Sequence, residues 1–462
     1  MTLAAWLGTE PARPDRIRQW PGAPWLAVAT VCVGAFMSQL DASIVTLALP
    51  ALHTDLHAPV SAVAWVSLSY LLVLVGTVAT VGRLADRAGR KLLYVYGFTL
   101  FTLASAGCGL ARSLAMLIAL RVLQAFGAAL LQANSVALIR TTVTAGRLNR
   151  AIGVQGAAQA LGLAAGPAIG GLLIAAGGWR WVFWVNLPIG ALGIGMGLLL
   201  LPRTRIRAAR QRTDWAGMLS LLATVGLLLL ALSVLAGRPL LAATLLLAAL
   251  GGAGVLVRIE LRSSSPLIEP GLFARTAGPN RFTTGLLAAL LSYLVLFGAL
   301  VASPRYLQAS VPASTAGLLI TLLPLSLAML TPVGALAADR FGTAAAGIAG
   351  LLLAGLGFLL PVGFGGAGVL PMLVLAGAGL GLFLPANNAG IAGSGRLDQA
   401  GLISGLLNMT RGIGTALGVA VATASVAVTQ AAGWASPQAD LRASMAVFAG
   451  LAGLAALAVR RG

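Results

Sequence analysis

Apolar runs of about twenty residues, separated by short polar breaks, fill almost the whole chain, and each is long enough as a helix to cross about 30 Å of hydrocarbon. They predict spans at 25–49, 62–82, 92–111, 114–139, 150–175, 181–201, 215–236, 239–258, 282–303, 314–337, 344–362, 367–390, 401–429 and 440–458. Gly and Pro are frequent inside them, which membrane helices tolerate because neighbouring helices satisfy the freed backbone groups. No break accommodates a soluble domain; the longest are Pro202–Asp214 and Arg258–Arg281. The pattern predicts an all-α polytopic membrane protein, and its even number of spans puts both termini on the same side.

Which side is set by Gly82-Arg83-Leu84-Ala85-Asp86-Arg87-Ala88-Gly89-Arg90-Lys91, a short basic turn between the second and third runs. Its four cations mark it as cytoplasmic by the positive-inside rule, so both termini are expected inside. Of 30 Lys and Arg, five fall on the opposite side (Arg112, Arg180, Arg238, Arg305, Arg442) and two within spans (Arg121, Arg411), which leaves 23 inside. The net charge of +19 is therefore topology rather than a nucleic-acid site. Only 9% of residues are charged and 59% are apolar, against about 25% charged in a soluble domain. Cys32 and Cys108 lie within apolar runs and imply no disulfide framework. Residues 1–24 carry Pro and Arg without an apolar core and read as a cytoplasmic arm, not a cleaved signal peptide. One lysine against 29 arginines suits GC-rich coding and points to a bacterial cell membrane.

The chain carries a faint internal echo. Leu84-Ala85-Asp86-Arg87-Ala88-Gly89 recurs about 250 residues later as Ala337-Ala338-Asp339-Arg340-Phe341-Gly342, with Thr343 and Ala344 where Arg90 and Lys91 stand in the first copy. Parallel repeats of this kind typify one large class of transporters. The Gly82–Lys91 turn resembles the signature between helices 2 and 3 of the major facilitator superfamily. Three further stretches resemble its 14-helix drug:proton antiporter branch: Leu40–Val45 with Ala48-Leu49-Pro50, Gly162–Gly171 and Trp179–Gly190. Arg121–Gly127 resembles the fourth-helix motif. Ser43 stands where that branch has Thr, and Ala125 where the fourth-helix motif has Gly.

The resemblance implies two six-helix bundles, 25–201 and 282–462, joined by a linker at 202–281 that carries two additional helices. It implies a monomer that exports small amphipathic compounds, drugs or antibiotics, in exchange for protons, by rocking one bundle against the other. In the fifth helix it marks Gly162, Gly166, Pro167, Gly170 and Gly171 as the antiporter motif. In the basic turn it marks Gly82, Arg83, Asp86, Arg87, Gly89, Arg90 and Lys91 as a cytoplasmic gate. Topology alone would explain the cations of that turn but not its aspartate and glycines. Asp86 is placed to accept from Arg83, Arg90 or a helix N-terminus.

A charge in hydrocarbon costs about 2.5–3.5 kcal/mol on insertion scales, so each one needs a reason. Asp41 is the acid well inside a span, and no histidine is, so Asp41 is the expected proton carrier. It lies nine residues before Pro50, about 13 Å along the helix, and Arg121 lies seven after Leu114, about 11 Å, so the two can share a level. A fixed ion pair is the plainer alternative. Arg411 sits near the middle of its span, where a substrate or anion contact and a structural bond between helices both remain open. Gln155 and Gln159 are further cavity candidates, and after them Gln39, Gln124, Gln132, Asn134, Asn387, Asn388 and Asn408, for which a hydrogen bond to a neighbouring helix is the plainer alternative. Small residues at four-residue spacing also simply let helices pack closely, which is the plainer account of Gly162 and Gly166. His53-Thr54-Asp55-Leu56-His57 reads as an external loop rather than a metal site, and no Walker loop is present, so no metal, cofactor or ATP is expected. Against export of foreign compounds stand a dedicated exporter of an endogenous metabolite or lipid and a non-transporting membrane sensor; no convergent nucleophile–base set suggests an enzyme.

Overall fold

A computed structural model describes residues 10, 12–144, 147–204, 214–263, 266, 281–393, 400–434 and 436–461, without the side chains of 86, 148–150, 392, 393, 400–404 and 461. Long helices dominate, and no strand occurs among the described residues. They are α1 (Ala23–Asp55), α2 (Trp65–Ala88), α3 (Arg90–Gly109), α4 (Leu114–Thr142), α5 (Leu148–Gly177), α6 (Asn186–Leu200), α7 (Trp215–Val234) and α8 (Pro239–Arg262). The second half adds α9 (Arg281–Gln308), α10 (Leu322–Phe341), α11 (Thr343–Phe364), α12 (Val369–Gly393), α13 (Ala400–Ala431) and α14 (Pro437–Arg461). Short helices Val60–Val63, Trp181–Trp184 and Ala313–Ile320 lead into α2, α6 and α10. Several helices outrun the predicted spans, because an α-helix need not stop where the hydrocarbon does.

Among the described residues, thirteen stretches are long and apolar enough to cross a membrane. One of them, Thr343–Ile391, runs for 49 residues but folds back at the 3₁₀ turn Gly365–Gly368. A Cβ on Gly350 would meet the Gly379 carbonyl, and one on Gly357 would meet Ala376 at 2.9 Å, so α11 and α12 lie antiparallel and count as two crossings. That restores the fourteen spans of the hydropathy pattern. Prolines inside α1, α5, α9, α10, α11 and α12 interrupt none of these helices. In hydrocarbon a helix is the segment's means of pairing its own backbone, and neighbouring helices supply the bond a proline removes.

α1 to α6 pack mainly with one another, as do α9 to α14, while α7 and α8 pair together and α7 touches α2 and α13. The two groups meet where α2 crosses α13 and where α5 crosses Ala313–Ile320 and α10. The internal echo is a shared piece of geometry. Gly89 (φ 119°) is the single residue between α2 and α3, and Gly342 (φ 88°) the single residue between α10 and α11. Both backbones take a left-handed turn open to glycine and strained for any other residue. Gly89 and Gly342 mark the same end of the bundle; the ends of α1, α5 and α9 mark the other.

Candidate functional site

α1 and α4 carry their charges to one point. Arg121 Nη1 donates to Asp41 Oδ2 at 2.6 Å, with side chains 1% and 0% exposed. Each charge then has further partners. Asp41 Oδ1 accepts from Gln124 Nε2 at 2.9 Å and Asn186 Nδ2 at 3.0 Å. Arg121 also donates to the Val66 carbonyl at 2.9 Å and to Gln124 Oε1 at 2.6 Å, and its guanidinium lies 4.1 Å from the Tyr70 ring centroid. Gln124 Nε2 reaches Ser105 Oγ at 2.7 Å. Such bonding is what makes a buried pair tolerable, since the cost of stripping water from both ions must be met by each lone pair and proton.

A cavity of about 510 Å³ lies between the two helix groups. Gln39, Gln155, Gln159, Asn408 and Arg411 all line it. Gln124 does not: it belongs to the Asp41 network, behind Tyr70, whose side chain forms part of the wall. Asn387 also lies elsewhere, donating to the Gly285 carbonyl at 3.1 Å beside a separate shallow pocket; Asn388, one position on, lines the cavity instead. A step of one residue turns a helix by about 100°, so sequence alone does not choose between adjacent asparagines. Residues on the lining reach Ile152 and Ile391, near the Gly89 end. Towards the opposite end the groups close: a Cβ on Gly171 would meet the Ala313 backbone, one on Gly317 the Pro167 carbonyl, and Gln308 donates to the Leu47 carbonyl at 3.4 Å.

The fifth-helix glycines are contact surfaces. Gly162 abuts the Phe36 carbonyl, Gly166 abuts Ser43 and Gly170 abuts Ile44, so three turns of α5 lie directly on α1, while Gly171 faces the second group and Pro167 offers its carbonyl to Gly317. Helices approach this closely where side chains are absent.

In the basic turn the residues part company. Lys91 is buried and donates to the carbonyls of Leu198 at 2.7 Å and Leu201 at 2.8 Å, capping the C-terminus of α6. Arg83 donates to the Pro266 carbonyl at 2.7 Å. Gly82 faces Ala133 of α4, the side chains of Arg87 and Arg90 are half-buried, and that of Asp86 lies outside the described residues. An acid does occupy the turn, from an unexpected source. Glu10 of the N-terminal arm accepts from Leu92 N at 3.3 Å, Thr204 N at 2.6 Å and Thr204 Oγ1 at 2.9 Å, and Thr204 Oγ1 accepts from Arg90 N at 2.9 Å. These groups satisfy the free N–H groups at the start of α3.

Asn186 is the site residue that sequence reasoning passed over. It stands in the Trp179–Gly190 motif as an amide in an apolar run, which is a signal, but its partner becomes visible only when α6 is laid against α1. A second pair, half-exposed on its arginine side, joins Arg305 Nε to Asp440 Oδ2 at 2.8 Å, with Thr429 also on the carboxylate, at the first turn of α14. At the far end of α1, His53 contacts the Ala58 carbonyl at 2.6 Å, and Asp55 accepts from Trp179 at 2.8 Å and Arg180 at 3.2 Å. No cluster of metal-ligating side chains occurs among the described residues.

A polytopic helical membrane protein with a central cavity between two packed groups is the architecture of a membrane transporter. The Major Facilitator Superfamily profile matches residues 31–272. The chain is 30% identical to the riboflavin transporter RibZ of Clostridioides difficile, over 86% of this chain and 87% of that one. It is 32% identical to the tetracenomycin C resistance and export protein of Streptomyces glaucescens, over 87% of this chain and 75% of that one. Among solved structures, a bacterial homologue of the human lysosomal transporter Spinster, inward-facing and unoccupied, superposes with a TM-score of 0.66 at 17% identity, covering 96% of this chain and 98% of that one. The chain belongs to the Major Facilitator Superfamily, and it is a multi-pass protein of the bacterial cell membrane.

Proposed function

We propose that the protein exports small amphipathic compounds across the cell membrane in exchange for protons. The observation that carries this reading is Asp41: a carboxylate fully buried within a span and tied to Arg121, whose guanidinium lies against the ring of Tyr70, a residue of the cavity wall. A carboxylate paired with an arginine near a substrate cavity is a group whose protonation and whose ion pair exclude one another, which is what exchange requires. The basic Gly89 turn and both termini face the cytoplasm, so the conformation is inward-facing, with the cavity reached from inside and closed outside at Gly171 and Gly317. Export of tetracenomycin C by one relative supports a drug or antibiotic as cargo. Riboflavin as the cargo of another supports a second reading, export of a single metabolite. The cavity is built within one chain, which supports a transporting monomer and gives neither an enzyme nor a pure sensor any advantage.

The deciding experiment is substrate-induced proton release in everted vesicles or proteoliposomes, across a panel of drugs and dyes, for the wild type and Asp41→Asn. Release by several unrelated compounds, lost in the variant while its circular dichroism is retained, is the expected outcome. Proton release that persists in Asp41→Asn removes Asp41 from the coupling role; release with a single compound shifts the cargo to a dedicated one.

A further inference from the structure

Arg411 is a cation whose described contacts include no carboxylate. Its guanidinium donates to Asn388 Oδ1 at 2.7 Å and, at 3.4 Å, to Asn408 Oδ1, and it faces the Tyr293 ring at 5.4 Å. Its Nε is buried and has no hydrogen-bond partner. No Asp or Glu stands among the described residues of the cavity wall. Arg121 makes the contrast, for it is fully buried and is neutralised by Asp41. A guanidinium stays charged in any protein and presents five donors in a flat fork. Held in a half-apolar cavity on neutral amide oxygens alone, it keeps both a charge and a donor for a ligand.

The neighbourhood of Arg411 is aromatic. Tyr293 and Phe297 stack on α9 with centroids 6.4 Å apart and planes 17° apart, and both line the cavity. Across the cavity the Tyr70 hydroxyl, buried in the wall contributed by α2, has no hydrogen-bond partner either. Two unpaired donors on opposite helix groups, a flat aromatic face and a positive charge ask for acceptors, a ring system and a negative charge. A volume of about 510 Å³ suits a drug-sized molecule.

We propose that the cavity selects aromatic organic anions, with a carboxylate or phenolate on Arg411, the ring system against Tyr293 and Phe297, and an acceptor at the far edge on the Tyr70 hydroxyl. This rests on the transporter reading and gives it a substrate class. A cationic compound would meet a like charge in the cavity with no carboxylate in its described wall to offset it.

The test uses purified full-length protein and two dyes that share one tricyclic ring and differ in charge, anionic fluorescein and a cationic rhodamine ester, with binding read by fluorescence anisotropy. Fluorescein binds at least about tenfold more tightly than the rhodamine. Arg411→Gln weakens fluorescein by about tenfold or more, as loss of a charge-assisted bond does, and leaves the rhodamine unchanged or tighter. Tyr70→Phe, which keeps the ring over Arg121, weakens fluorescein by a few-fold. Equal or tighter rhodamine binding, equal losses for both dyes in Arg411→Gln, or no binding of either dye overturns the proposal. The wild-type comparison decides even where the Arg411 variant does not fold. Selective fluorescein binding without proton release would leave this inference standing and remove proton exchange; proton release driven by cationic dyes alone would do the reverse.

Discussion

Arg121 has no means of shedding its charge, so the cost of changing Asp41 is set by what remains around the guanidinium. In Asp41→Asn it would keep the Val66 carbonyl, Gln124 and the Tyr70 ring but lose its counter-ion. Breaking one side of a buried pair costs about 3–5 kcal/mol, whereas removing both partners is often neutral. Asp41→Asn is therefore expected to lower the melting temperature in detergent, and adding Arg121→Met to recover most of the loss. A double variant that melts below Asp41→Asn would show that Arg121 is not the source of the cost. The same residues show what was legible at this scale. A charge stands out in an apolar run, so Asp41, Arg121 and Arg411 were visible in the sequence. Asn186 and Ser105, small polar residues of the kind that scatter through any membrane helix, were not, because their meaning lies in partners 145 residues away for Asn186 and 19 for Ser105.

Between elements, the two glycine turns make a matched pair with one difference. Gly89 and Gly342 both hold φ values closed to other residues, at a cost of about 1–3 kcal/mol for a substituted side chain. A Cβ on Gly342 meets nothing within 4 Å, while one on Gly89 runs into the Glu10 carboxylate that caps α3. Gly89→Ala is thus expected to destabilise more than Gly342→Ala, and Glu10→Ala to narrow the gap between them, all read by thermal melting; equal shifts for the two glycines would remove Glu10 from the turn. At the opposite end, Gly171→Val would press on the Ala313 backbone. We expect it to part α5 from the second group, lengthening by about 2 Å or more a spin-label distance between Leu56 and Ser310. An unchanged distance, in protein that still folds, would mean that α5 does not form the closure there. The repeated Ala-Asp-Arg-x-Gly pattern made both turns legible. The asymmetry between them was not, since Lys91 and Glu10 act on Leu198, Leu201 and Thr204, more than a hundred residues from either.

For the molecule as a whole, hydropathy counts crossings, and the fold needed little more: fourteen helices of this kind must bury their backbones and have few ways to pack. What hydropathy cannot give is which face of each helix looks into the cavity, as Asn387 and Asn388 show. The charge of that cavity has a consequence for the whole membrane. With one proton entering for each monoanion that leaves, two charge equivalents move inward per cycle, whereas a neutral cargo moves one and a monocation none. Each is worth about 2.3 kcal/mol per 100 mV, so an anion exporter gains about 4.6 kcal/mol from 100 mV, a little over three decades in substrate gradient. Proteoliposomes whose protein has the Gly89 turn facing the lumen, loaded with fluorescein and poised inside-negative with valinomycin at zero pH difference, should export the dye several-fold faster than unpoised ones. Asp41→Asn should abolish that response. Export indifferent to the potential would be incompatible with an anion exchanged for a proton, because no arrangement of those two charges crosses the membrane electroneutrally.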